Sequence, residues 1–133
     1  MFDMKFAVSA FPQILTALKV TVYLSVIAVL IGTILAVLIV IIREKKIIVL
    51  NQIAAFLVSF IRGTPVIVQM YVVYYGLPQL LLILKSNGFD VNPNGLSALA
   101  IAITVYALNA MANLSESIKS AYHSVDYRQY EAA

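Results

Sequence analysis

Residues 59–78 read SFIRGTPVIVQMYVVYYGLP, with a fixed positive charge, a glycine and a proline set among residues otherwise hydrophobic enough for lipid. Hydrocarbon offers no hydrogen bonds to a broken backbone, so irregular chain at membrane depth survives only against other protein or a wet cavity. An ionisable side chain in such a place, here Arg62, is by default a functional-site hypothesis. Gly63, Thr64 and Pro65 complete the interruption. Pro65 lacks the N–H that would bond Ile61 and its ring crowds that turn. Thr64, before it, is pushed away from helical angles. The stretch predicts a membrane-embedded helical chain with a built-in break, handling something polar.

Composition points the same way. Of 133 residues, 62% are hydrophobic and 11% charged, with mean hydropathy +0.96; a soluble domain carries about 25% charged residues. Too little polar material exists to cover a soluble surface, so an integral membrane protein is expected. The net charge is +3, but in a membrane protein the placement of basic residues matters more than their sum. There is no cysteine, hence no disulfide framework and no thiolate metal site. The single histidine, His123, falls in a polar tail and reads as solvated. No carboxylate pair, nucleophile triad or phosphate-cradling glycine loop occurs. Neither catalysis, nor a metal or cofactor in this chain, nor a nucleic-acid partner is expected. The start, MFDMK, is only weakly basic, the apolar run that follows is too long for a signal h-region, and no small-residue cleavage site succeeds it.

That first run, 14–42, would be about 43 Å long as a helix, enough to cross ~30 Å of hydrocarbon with tilt. Lys19, near its start, can reach outward to the interface. Thr21, Ser25, Ala28, Gly32 and Ala36 share one face. Small residues let helix backbones approach in lipid, so this face is expected to pack on other helices, although ordinary membrane-helix composition would look similar. Arg43 to Lys46 then end the run in water. The second run, 47–84, would make a helix of about 57 Å, nearly twice the hydrocarbon thickness. It must bend, break or lie partly along the interface. Breaks are expected at 62–65 and at 76–78, where Gly76-Leu77-Pro78 stands. Gln52, Ala55, Ser59 and Arg62 form a narrow, less apolar stripe at helical spacing. Two arrangements fit: either 47–61 lies along the interface and the span starts near Val66, or the span starts near Asn51 and Arg62 sits deep. A polar, turn-rich loop occupies 85–95. The third span is expected over 96–116, followed by a polar, partly helical ending.

Basic residues near short loops set orientation. Arg43, Lys45, Lys46, Lys119 and Arg128 fall on one side of this arrangement, Lys5 and Lys85 on the other. That imbalance puts the first loop and the C-terminus in the cytoplasm and the N-terminus outside. An odd number of crossings agrees.

On the third span Ala102, Tyr106, Asn109, Asn113 and Glu116 recur every three or four residues and share a face. Two asparagines and a carboxylate there predict a surface turned from lipid toward a cavity, where substrate amines or hydroxyls could bond. Asparagines also join helices, at roughly 0.6 kcal/mol on average, so pathway lining and packing stand about level. Gln69, just past the proline, needs protein or water beside it and joins the pathway candidates. Tyr71, Tyr74 and Tyr75 read as interfacial belt or packing. Arg62 could bind an anion, cap carbonyls or reach headgroups; anchoring of the bend is the favoured reading.

Two patterns together resemble the permease subunits of ABC-type importers for polar amino acids. FIRGTPVIVQMYVVYYGLP, at 60–78, is similar to that family's FxRGTPxxVQ…YxGLP signature, and SVDYRQYEAA, at 124–133, to its SVxxGQxEAA segment. Ser115, Glu116 and Lys119 fall where the family shows a small residue, Glu and Arg. Arg128 stands where glycine is usual and Asp126 where proline is frequent, which bears on the turn entering the cytoplasmic loop. RGTP alone is a weak signal; RGTP, GLP and EAA in this order and spacing make a strong one. The resemblance implies an all-α fold, three transmembrane segments of a five-span permease core of the type I importer kind. It implies that 120–133 begins a coupling loop in which Tyr127, Arg128, Gln129, Tyr130, Glu131, Ala132 and Ala133 dock an ATP-binding cassette subunit. ATP would bind in that partner. A second permease subunit, same or related, would complete the path in a bacterial inner membrane, and an extracellular solute-binding protein would deliver a polar amino acid. The chain ends on the third residue of EAA, before two further expected spans, so a fragment of a longer reading frame is expected, unable to transport alone. The rival readings are a small self-assembling membrane protein or channel, and a nonfunctional truncated permease.

Overall fold

The apolar runs fold into four helices: α1 Met4–Glu44, α2 Ile48–Gly63, α3 Val66–Ser86 and α4 Ala98–Ser124. They are seen in a computed structural model that describes residues 4–45, 48–93 and 95–124, among which no strand occurs. By length and composition α1, α3 and α4 can each cross a membrane, whereas α2 has 16 residues and falls short of the ~20 that a span requires. The chain is an all-α membrane protein.

α1 starts ten residues ahead of the apolar run and holds 41 residues, with Pro12 inside it. It pairs with α4 more extensively than any other two elements pair. The small-residue face explains why. Ala28, Gly32 and Ala36 are buried there, and a Cβ added at Gly32 would stand 2.6 Å from Ala110 Cβ and 2.8 Å from Ala107 O. Backbone meets backbone at Gly32, so the missing side chain sets how close the two helices come. Ala107, Ala112 and Ser115 answer from α4, and the Ser115 hydroxyl donates back to Ala112 O at 3.0 Å. The core sits at this seam, with Ala36, Met111 and Ala112 joined by Val58 and Ile61 of α2.

α2 is one-sided. Ala54, Val58 and Ile61, spaced by four and three, are buried, while Gln52, Ser59 and Arg62 on the stripe are exposed. It ends at Gly63, and Pro65 is extended (φ −60°, ψ 134°) before α3 begins. Arg62 and Gly63 thus close α2, and the break itself is Thr64–Pro65.

The interruption expected at 76–78 does not occur: α3 runs through Gly76 and Pro78 to Ser86. Pro78 removes one bond, to Tyr74 O, and adds a local clash. Opening the helix there would orphan more groups in a medium without water, and among the described residues no side chain hydrogen-bonds Tyr74 O. At Pro65 side chains do take over the freed carbonyls, so that proline breaks the chain and Pro78 does not. α3 is capped by Asn87, whose N–H reaches Ile83 O at 3.2 Å, and Gly88 (φ 92°) turns the chain so that Phe89 N–H meets Leu84 O at 3.2 Å. α4 opens on Ser97, whose hydroxyl accepts from the Ala100 N–H at 3.1 Å, an N-cap that serves an orphan donor. α4 continues well past residue 116, so the polar ending through Ser124 is helix.

Candidate functional site

α4 carries the predicted polar stripe, and its neighbours divide that stripe in two. Tyr106 and Asn109 open into a cleft of about 470 Å³ between α1 and α4, walled by Thr21, Ser25 and Ala28. Asn113 and Glu116 open into a second, shallower groove of about 570 Å³, with Arg62 of α2 on one wall and Ser117, Ser120 and Ser124 along the other. The amide of Asn113 bridges the two halves: Nδ2 donates to Asn109 O at 2.9 Å and to Asn109 Oδ1 at 3.2 Å. A small polar solute would meet hydroxyls and amides in the upper cleft and charge in the lower groove.

The charge is arranged in a way that the sequence reading missed. Arg43, expected to stand in water, has a side chain only 12% exposed and is paired with Glu116. Its Nε has no hydrogen-bond partner among the described residues. Glu116 therefore carries a counter-ion from its own chain. Opposite charges at contact in a partly buried setting attract strongly, and removing either leaves the other uncompensated. Arg62, across the groove, makes no ion pair among the described residues and is the cation this groove presents. About two turns further along α4, His123 Nε2 lies 2.9 Å from Glu44 Oε1 and its ring meets Tyr122 edge-on, with centroids 5.4 Å apart. The histidine read as solvated is the second tie between the ends of α1 and α4. The signal for the first tie was available: a lone carboxylate in a membrane helix calls for a cation at its own depth.

Gln69 lies away from both clefts. Its amide points into the break and hydrogen-bonds Ile61 and Thr64. Anchoring of the bend, expected of Arg62, is done by Gln69 and Thr64. Tyr71, Tyr74 and Tyr75 are exposed on α3 and touch one another, Tyr71–Tyr75 at 6.1 Å and Tyr74–Tyr75 at 5.1 Å between ring centroids. The expected docking residues, Tyr127 to Ala133, lie outside the described residues. No group of three His, Cys, Asp or Glu side chains able to hold a metal is found among the described residues.

The site is thus a polar helix face between α1, α2 and α4, beside a stapled break. The relatives of this chain give it a family. It is 35% identical over 130 residues to the probable amino-acid permease protein YxeN of Bacillus subtilis (strain 168), covering 98% of this chain and 54% of that protein. With the L-cystine transport system permease protein TcyL of the same organism it shares 34% over 132 residues, 99% of this chain and 53% of the relative. With the nopaline transport system permease protein NocM of Agrobacterium fabrum (strain C58 / ATCC 33970) it shares 34% over 131 residues, 98% and 54%. Its fold matches a crystal structure of an amino acid ABC transporter with histidines at a TM-score of 0.79 and 27% identity, over 100% of this chain and 56% of that one. No family model matches. The chain is thus a homologue, over nearly its whole length, of amino-acid ABC transporter permeases, and it spans about half the length of the curated relatives it matches.

Proposed function

We propose that this chain is part of the permease subunit of an ATP-driven amino-acid uptake system, contributing α1 and α4 to the translocation path and docking the ATPase through its C-terminal segment. The observation that carries this reading is the relationship to amino-acid permeases across 98% of the chain. The polar face of α4 supports it, since that face leads helically toward the EAA segment. Tyr106, Asn109 and Asn113 hydrogen-bond the solute, and Arg62 meets its carboxylate. Glu116 is held by Arg43 and shapes the lower groove more than it binds an ammonium group. The substrate is a polar amino acid; relatives named for L-cystine and nopaline transport support that class. ATP binds and is hydrolysed in a cassette partner. A second permease subunit closes the path, an extracellular solute-binding protein loads it, and membrane lipid surrounds it. The N-terminus lies outside and the C-terminus inside, a reading that the distribution of lysine and arginine supports.

Co-purification tests the reading. The full chain captured from membranes should bring an ATP-binding cassette protein with it, and Glu131→Arg or Ala132→Asp should weaken that capture about tenfold or more, as loss of a docking hot spot does. A tag after Ala133 reachable only from the outer medium would refute the docking, and ion conductance by the purified chain alone would select the channel reading.

A further inference from the structure

Pro65 leaves the Ile61 carbonyl without the N–H that an uninterrupted helix would offer it. Because Pro65 is extended, the Thr64 carbonyl is cut off from α3 as well. The first turn of α3 bonds instead to Pro65 O, from the Val68 N–H at 3.0 Å and the Gln69 N–H at 3.2 Å. One side chain serves both orphaned acceptors. The two N–H groups of Gln69 Nε2 are shared among Ile61 O at 2.8 Å, Thr64 O at 3.0 Å and Thr64 Oγ1 at 2.7 Å. Two of these partners can only accept, which fixes the end of the amide that faces the break. The Thr64 hydroxyl in turn donates to Phe60 O at 3.0 Å, with Ile61 O a longer alternative at 3.4 Å. A hydrogen-bond chain thus stitches the last turn of α2 to the first turn of α3.

We propose that Gln69 is the positioning residue of the α2–α3 elbow, its amide standing in for the N–H that Pro65 lacks. It holds α2, whose Ala54, Val58 and Ile61 are buried, at one angle to the membrane-length α3. It also keeps Arg62 on the wall of the lower groove. A solute-binding amide would need donors free to turn toward a polar cavity. Here the donors are engaged, and the groove beside Gln69, about 250 Å³, is lined by apolar residues such as Leu57, Phe60, Val68 and Val72. The elbow itself is independent of the transport reading; only its effect on transport rests on that reading.

The test is a double-mutant cycle with Pro65→Ala, which restores a backbone N–H to Ile61. The chain has no cysteine, so spin labels at Ile53→Cys and Leu82→Cys, both exposed, report the elbow in the full chain in lipid nanodiscs. Gln69→Leu should broaden the interspin distance distribution when residue 65 is proline and leave it narrow when residue 65 is alanine. In the assembled transporter, Gln69→Leu should lower the maximal uptake rate about tenfold in the parent background and about twofold or less in the Pro65→Ala background, a difference of the size one hydrogen-bonded group carries. KM should stay unchanged. Equal losses in both backgrounds, a raised KM, or an unbroadened distribution in the parent background would overturn the proposal. If the leucine variant does not accumulate, Gln69→Asn, one methylene short of Ile61, is read the same way. Failure of the parent chain to capture an ATP-binding cassette partner would count against the permease reading and leave the distance result standing.

Discussion

Arg43 and Glu116 show how one side chain changes meaning when its partner is known. In the sequence Arg43 is the first of a cluster of cations closing an apolar run, and Glu116 the last member of a polar stripe. In the fold they are a pair, 73 residues apart along the chain. Glu116→Gln should cost about 1–3 kcal/mol, the worth of a charge-assisted hydrogen bond, because the nearly buried guanidinium is left without a counter-ion. Reversible unfolding of the purified chain in mixed micelles measures this, and the exchange Arg43→Glu with Glu116→Arg should recover part of the loss. Gly32 makes the opposite case, a residue whose role was legible. Its place among Thr21, Ser25, Ala28 and Ala36 predicts close packing, and Ala110 stands where its side chain would be. Gly32→Ala should therefore push α1 from α4 and destabilise by about 1–3 kcal/mol, as overpacking does, in the same assay. Thr21 and Ser25 belong to that same periodic face, yet they line an open cleft with Tyr106 and Asn109. Helical spacing identifies a face but cannot tell which stretch of it meets a neighbour and which meets a void.

Two prolines in the second apolar run behave differently, and the difference lies in what surrounds each. Local rules treat Thr64–Pro65 and Leu77–Pro78 alike. The outcome depends on whether other groups can receive the carbonyls that a break would free. Gln69 and Thr64 do so at the first site, and α3 continues through the second. Pro78→Ala should return an N–H to Tyr74 O, keep α3 continuous and raise stability by about 1–3 kcal/mol, less than the full proline penalty because the present helix has already relaxed around it. Hydrogen exchange across 74–82 in nanodiscs would show slower exchange at the new amide. Faster exchange would mean that α3 needs its proline for packing. The existence of the first and third spans was legible because long apolar runs leave few alternatives. Their ends were not: α1 begins at Met4 and α4 reaches Ser124, since polar residues flanking a span form helix as readily as apolar ones once a turn is nucleated.

Among the described residues the organising contact is between α1 and α4, with α2 and α3 laid against α4. That the chain belongs in a membrane follows from composition, and that it crosses as helices from the length of its apolar runs. Which helices pair is a different matter, because lipid makes every apolar face equally comfortable and only small residues and polar ties discriminate. Orientation is a property of the chain as a whole, set by where cations collect. Replacing Lys45 and Lys46 together with glutamine should produce a mixed population of topologies. Labelling of a single introduced thiol, at Ser86→Cys, with an impermeant reagent on intact cells and on inverted vesicles would count the two forms. The long separation between Arg43 and Glu116 also has a consequence for biogenesis. At about 5–20 residues per second, the ribosome needs roughly 4–15 s after Arg43 to deliver Glu116. Throughout that interval α1 waits with its seam unfilled and its guanidinium uncompensated. The last helix of the pair to be made thus sets when the first can be completed, and shortening the stretch between them would shorten that wait.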